Sequence, residues 1–249
     1  MKKRKLFLLL FIIFANIFIL SSCKNYNKLY SELEGKITDE IKEKNVTIKV
    51  SFKRTRVSDV YFSKTASGVI IKKDINTYYV LTNNHLLYSS YNYYDILITD
   101  YYGNYYNAFL YNDSNDSSYD LALLSFETEN DLSPIEFSND NTSIGDVIAS
   151  IGYKNDNSNI LTLGKYLGYT KYEIPNNVSS DECNISFDVI KHTAYINEGS
   201  SGSMLIDSNL KLIGINFSSA LDNNNNYINS YAIPMNKINE YLEKNNFIV

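Results

Sequence analysis

The chain has 249 residues, 44% of them hydrophobic, and a formal net charge of −5. That is enough for one large domain or two small barrels, and the wrong sign for a nucleic-acid partner, which needs a basic face. Its two cysteines, Cys23 and Cys183, cannot build a disulfide framework or a Cys-rich metal site, and its two histidines, His85 and His192, lie too far apart in sequence to suggest zinc, so no metal and no cofactor is expected.

In chain order, Lys2, Lys3, Arg4 and Lys5 precede an apolar run from Leu6 to Leu20. The run is short of the roughly 20 residues a transmembrane helix needs, and the basic start fits a secretory leader. It closes on LSSC, Leu20 to Cys23, which resembles a bacterial lipobox. Residues 1–22 are thus expected to be a lipoprotein signal peptide, with Cys23 acylated and holding an exported protein to the membrane. Loss of the four leading basic residues takes the formal charge from −5 to −9. Residues 23–45 read as a tether passing into an amphipathic helix, with Leu29, Leu33, Ile37 and Ile41 at helical spacing. From Val46 short strand-like runs follow: TIKVSF, SGVII, TYYVLT, YDILIT, YNAFLY and DLALLSF. A polar stretch, Glu127 to Thr142, interrupts them. Then come DVIASIG, LTLGKYLGYT, ISFDVIKH, SMLID, LIGINFS and NSYAIP, and a helical tail over residues 235–246. Short strands punctuated by Asn, Asp, Ser and Gly predict an all-β chain with two β-rich halves, about 46–128 and about 143–234. The acidic loop Asp222 to Asn226 leaves calcium binding open but offers few carboxylates for it.

The chemistry-bearing stretch is INEGSSGSM, residues 196–204. Its glycines and serines suit a surface turn, or a turn that presents a nucleophile. A serine needs a histidine to take its proton and a carboxylate to orient that histidine. His85 ends the run YYVLTNNH, so a strand delivers it to a strand end; His192 lies within a strand-like run and reads as structural. Asp120 stands just before the apolar run LALLSF, at the mouth of a core. The order His85, Asp120, Ser201 excludes an α/β-hydrolase, which needs Ser, acid, then His, and Gly199 opens G-S-S-G-S rather than G-x-S-x-G. The order suits a double barrel with His and Asp on one half and Ser on the other.

SGVII, VLTNNHLL, YDLALL, GDVIASIGY, AYINEGSSGSMLI, LIGINFS and SYAIPMNKI together resemble, in order and spacing, a trypsin-like serine protease of the HtrA (Deg) type, over roughly Thr47 to Ile238. The ending SGS in place of SGG is similar to secreted glutamyl endopeptidases. The resemblance implies two six-stranded β-barrels of the chymotrypsin-like fold with a C-terminal helix. It also implies His85 as general base, Asp120 as orienting carboxylate, Ser201 as nucleophile, and the Gly199 and Ser201 amides as the oxyanion hole, with Ser200 and Ser203 as bystanders. The implied partners are protein or peptide substrates, with an oligomer compatible with the family. Glu198 stands where the family usually has proline beside the oxyanion glycine, and Met204 where proline usually follows the motif. No PDZ domain is expected after residue 249, nor peptide-sensing regulation.

For specificity, the family relation puts Tyr195 at the pocket floor, where trypsin has Asp, and Asn216 where glutamyl endopeptidases have His. The expected pocket is walled by Tyr195, Ile196, Ile215, Asn216, Phe217 and Ser218, lacks a charge partner for Lys, Arg or Glu, and favours small or medium apolar residues. The competing class is a protease fold kept as a binding or adhesion module; the intact His85, Asp120 and Ser201 count against it.

Overall fold

A computed structural model describes residues 26–91, 93–154, 157–222 and 224–249. The leader and Cys23 lie outside the described residues. Residues 26–36 form a helix, α1, in a unit separate from Ile37–Val249; Lys28 pairs with Glu32 at 3.5 Å one turn on, and the Tyr26 and Tyr30 rings lie 6.5 Å apart. The helical spacing of Leu29, Leu33, Ile37 and Ile41 is not one continuous helix. Thr38 is extended (φ −88, ψ 176) and caps a separate short helix, α2, Asp39–Lys42. Gly35, a poor helix former, sits just before the break. Among the described residues no helix is long and apolar enough to cross a membrane.

Ile37–Val249 is one compact unit containing two closed antiparallel barrels. The first is built from β1 Asn45–Lys53, β2 Val60–Asp74, β3 Thr77–Thr82, β4 Tyr93–Thr99, β5 Tyr105–Leu110 and β6 Ala122–Glu127. The second is built from β7 Val147–Lys154, β8 Asn157–Lys171, β9 Asp188–His192, β10 Met204–Ile206, β11 Leu212–Leu221 and β12 Tyr227–Pro234. The neighbour orders are β1-β2-β3-β6-β5-β4 and β7-β8-β9-β12-β11-β10, one winding used twice. This is the expected chymotrypsin-like double barrel.

The strands form for two different reasons. In β1 the apolar residues alternate, and Val46, Ile48, Val50 and Phe52 all point into barrel one. In β2 the run from Ala66 to Ile71 is buried without a gap. Ala66 and Ile70 join the barrel-one core, while Ser67, Val69 and Ile71 are shut off from water on the other face. β11 is buried in the same way from Leu212 to Phe217. Strands covered on both faces read as continuous apolar runs.

The polar stretch after β6 is laid down along both barrels rather than left free. Leu132 and Ile135 are buried, Ile135 N donates to Ile70 O (2.9 Å), and Ser138 N and Glu136 O pair with Leu212 (2.9 and 2.8 Å). The last helix, α3, Met235–Lys244, buries Ile238, Tyr241 and Leu242. Its Tyr241 hydroxyl donates to Ser114 O at 2.8 Å, so a helix leaving barrel two is pinned to a barrel-one loop.

Candidate active site

β3 ends at Thr82, and a single 3-10 turn, Asn84–Leu86, turns His85 out of the barrel. Asp120 stands in the loop before β6, fully buried and at φ +51, a left-handed conformation that Asp tolerates better than most residues. Its Oδ2 lies 2.8 Å and its Oδ1 3.1 Å from His85 Nδ1, and Oδ1 also accepts from His85 N at 2.9 Å. Both imidazole position and ring plane are thereby fixed from one carboxylate. Asn83 and Asn84, in the same TNNH segment, hold the surroundings. Asn83 Nδ2 donates to Asp120 O (3.0 Å), and Asn84 Nδ2 to Asp181 O (3.1 Å) and Glu182 O (2.8 Å) in barrel two. Lys64 Nζ donates to His85 O (2.9 Å) and Tyr88 O (2.8 Å). Desolvation holds the Lys64 ammonium below its ordinary pKa, against Glu182 and Asp120. Only the histidine of TNNH carried a chemical signal in the sequence; Asn83, Asn84 and Lys64 had none.

Barrel two supplies the turn between β9 and β10. Ser201 Oγ stands 2.9 Å from His85 Nε2. Gly199 (φ +91) and Gly202 (φ +79) flank it in conformations that disfavour any side chain. The turn is braced by Ser67 of β2. Ser67 N donates to Ser201 O (2.8 Å), and Ser67 Oγ donates to Gly199 O (3.1 Å) while accepting from Tyr153 N (2.8 Å). Ser200 N and Ser203 N close local turns onto Asn197 O and Ser200 O. Among the described residues the Gly199 and Ser201 amides donate to no backbone carbonyl. Glu198 is exposed.

Burial of the His85 imidazole opposes its charge, but the adjoining Asp120 carboxylate outweighs burial, and the pKa is raised above its ordinary 6.5. His192 behaves oppositely. It is fully buried in barrel two, joins neither Ser201 nor Asp120, and burial pushes it down to about 4.

The residues expected to wall the specificity pocket do not share one location. Tyr195 is exposed (39%) and packs edge-on against Tyr227, ring centres 4.9 Å apart. Ile196 and Ile215 are buried. Asn216 is fully buried, with its side chain bonded inside barrel two. Phe217 and Ser218 line a cavity of about 220 Å³ together with His85, Asp120, Tyr172 and Glu182. Tyr172 is fastened there, its hydroxyl 2.8 Å from Ser218 Oγ and its ring 4.8 Å from Phe217. Among the described residues no cluster of His, Cys, Asp and Glu could hold a metal ion.

Two wound-alike barrels with a Ser–His–Asp chain across their junction define a trypsin-like peptidase, and the chain belongs to the trypsin-like peptidase domain family, which matches it over residues 66–215. It is similar to a probable serine protease do-like of Buchnera aphidicola (31% identical, covering 71% of this chain and 34% of the relative). It is likewise similar to the serine protease Do-like HtrA of Bacillus subtilis (29% identical, 73% and 39%). The chain thus spans little more than a third of the length of these curated relatives. Among solved structures it superposes on a protease of M. tuberculosis in its active form with a TM-score of 0.64, covering 84% of this chain and 83% of the other at 19% identity, which speaks for the fold.

Proposed function

We propose that the chain is a serine endopeptidase of the HtrA type, exported and held to the membrane by a lipid at Cys23, that cleaves proteins or peptides through an acyl-enzyme. The observation that carries this reading is the unbroken chain Asp120 Oδ2, His85 Nδ1, His85 Nε2, Ser201 Oγ, with links of 2.8 and 2.9 Å. Ser201 Oγ attacks the scissile carbonyl while its proton passes to His85 Nε2. Asp120 keeps Nδ1 protonated and stabilises the imidazolium that forms. The carbonyl oxygen, now negative, receives the Gly199 and Ser201 amides; such a donor pair contributes on the order of a hundredfold or more. Collapse breaks the C–N bond, and His85 returns its proton to the leaving amine. Water then repeats the sequence on the acyl-enzyme, regenerating Ser201. Small or medium apolar residues are favoured before the scissile bond, because Tyr195 offers no carboxylate to a basic side chain, and Asn216, bonded inside barrel two, presents no cation to an acidic one. The basic start, short apolar run and LSSC of residues 1–23 support export and lipid attachment.

A fluorophosphonate probe on the purified chain tests the chemistry. Wild type is expected to be labelled at Ser201, with Ser201→Ala and His85→Ala each losing nearly all labelling and hydrolysis, since triad members act as a unit. A wild-type chain that neither takes the label nor cuts a peptide library would end this reading. Cleavage mainly after Lys, Arg or Glu would end the specificity part alone.

A further inference from the structure

Barrel two contains a polar chain for which the acyl-transfer steps have no use. His192 and Asn216 are both fully buried, and His192 Nε2 lies 2.9 Å from Asn216 Oδ1. Asn216 Nδ2 donates to Ser150 Oγ and Ser203 Oγ, each at 2.9 Å, and at 3.4 Å to Met204 O. The main chain adds two bonds, Gly202 N to Asn216 O (2.8 Å) and Asn216 N to Ser203 O (2.9 Å). Asn216 therefore grips Gly202, Ser203 and Met204, the three residues that follow Ser201. Regular pairing of β10 with β11 starts only at Met204 opposite Ile215, so Asn216 carries the ladder one step further, up to the turn.

The amide is placed with Nδ2 toward Ser150 Oγ, Ser203 Oγ and the Met204 carbonyl, a pure acceptor, and with Oδ1 toward His192. His192 then has to donate from Nε2. Its Nδ1 has no partner, so the neutral Nε2–H tautomer makes one hydrogen bond, and that bond is spent on Asn216. A reversed amide would set Oδ1 against Met204 O and leave His192 without an acceptor.

We propose that Asn216, oriented by His192, is a positioning residue that holds the exit of the nucleophile turn and so keeps Ser201 Oγ aimed at His85 Nε2. This rests on the reading of Ser201 as nucleophile. It gives Asn216 a different task from lining the specificity pocket, and it gives His192 an influence on rate through a side chain that never meets substrate.

The test uses the full chain with His192→Phe, which keeps a ring but no donor, and His192→Gln, which restores a donor. The rate of Ser201 labelling by a fluorophosphonate is measured together with kcat and KM on a peptide. His192→Phe is expected to lose about tenfold in labelling rate and kcat, with KM changed by less than about twofold, and His192→Gln to recover most of the loss. Asn216→Asp, isosteric but unable to donate, is expected to lose at least about tenfold and serves if the phenylalanine variant does not fold. Wild-type labelling rates in His192→Phe or in Asn216→Asp, a loss confined to KM, or a glutamine variant no better than phenylalanine would each overturn the proposal. A wild-type chain that takes no label would take down the peptidase reading, and this inference with it.

Discussion

At His85 two effects of opposite sign meet, and their balance sets the working pH. Burial disfavours the imidazolium, the Asp120 carboxylate favours it, and the carboxylate wins, so the group stays protonated above its ordinary 6.5. The base is useful only when neutral, hence the acid limb of kcat/KM is expected above pH 6.5. Asp120→Asn removes the main charge that opposes burial, leaving only Glu182 on that side, which moves the limb below the wild-type one and lowers the rate by orders of magnitude. A pH–rate profile of the wild type with its limb at or below the ordinary histidine value would contradict this. The glycines beside Ser201 differ in what a side chain would meet. At Gly199 an added Cβ approaches the Tyr153 ring at 2.6 Å, a side chain that can move; at Gly202 it would stand 2.1 Å from Ser67 O and 2.5 Å from Thr82 Oγ1. Gly202→Ala is therefore expected to cost more than about 2 kcal/mol, read by denaturant unfolding, and a cost below about 1 kcal/mol would refute the close approach. That GSSG forms a turn is visible in the sequence. Which wall each glycine faces is not, because Ser67 and Tyr153 arrive from distant strands.

Among the elements, β1 is readable from its alternation, and β2 and β11 from largely apolar runs broken only by Ser67 and Asn216, since each pattern follows directly from how many faces are covered. The stretch after β6 was not readable as packed. Its polar residues match a linker, while its burial comes from Leu132 and Ile135 alone and from backbone bonds to Ile70 and Leu212. The break after α1 was equally hidden, because the apolar spacing continues through Ile37 and Ile41 while Thr38 turns extended. In β9, His192 looked like an ordinary strand histidine, and its burial has a consequence for acid stability. The folded state holds it neutral down to about 4, whereas the unfolded chain takes up the proton near 6.5. Stability is thus lost as pH falls through that window, on the order of 3 kcal/mol over its full width. His85 does not confuse the measurement. Its raised pKa contributes stability that is complete below 6.5 and is lost only as pH rises through the folded value. Urea unfolding between about pH 6.5 and about pH 4.5 should show a slope in the wild type that His192→Gln flattens. An equal slope in both would place the acid sensitivity elsewhere.

At the scale of the whole molecule, the His85 and Asp120 pair belongs to one barrel and Ser201 to the other, so the reaction depends on how the barrels are joined. The order of the three residues, and hence their division between two halves, is legible in the chain. The joint is not, since it links positions more than a hundred apart through single groups: Ser67 Oγ to Gly199 O, Asn45 Nδ2 to Ile151 O, Tyr241 to Ser114 O. Ser67 is the contact nearest the chemistry. It is fully buried, and its hydroxyl satisfies one carbonyl and one amide of barrel two while its own amide holds Ser201 O. Ser67→Ala keeps the amide bond and removes the hydroxyl, and with it the bonds to Gly199 O and Tyr153 N. The loss at the buried Gly199 carbonyl costs about 1–3 kcal/mol before relaxation. The Gly199 carbonyl is also what fixes the peptide beside the proposed oxyanion donor. The variant is therefore expected to melt several degrees lower in a single transition, because both barrels remain one compact unit. It should also lose about tenfold or more in kcat with little change in KM, as a misaimed oxyanion donor weakens only the transition state. Calorimetry and steady-state kinetics on Ser67→Ala check both halves; unaltered kcat in a destabilised protein would confine Ser67 to holding the barrels together.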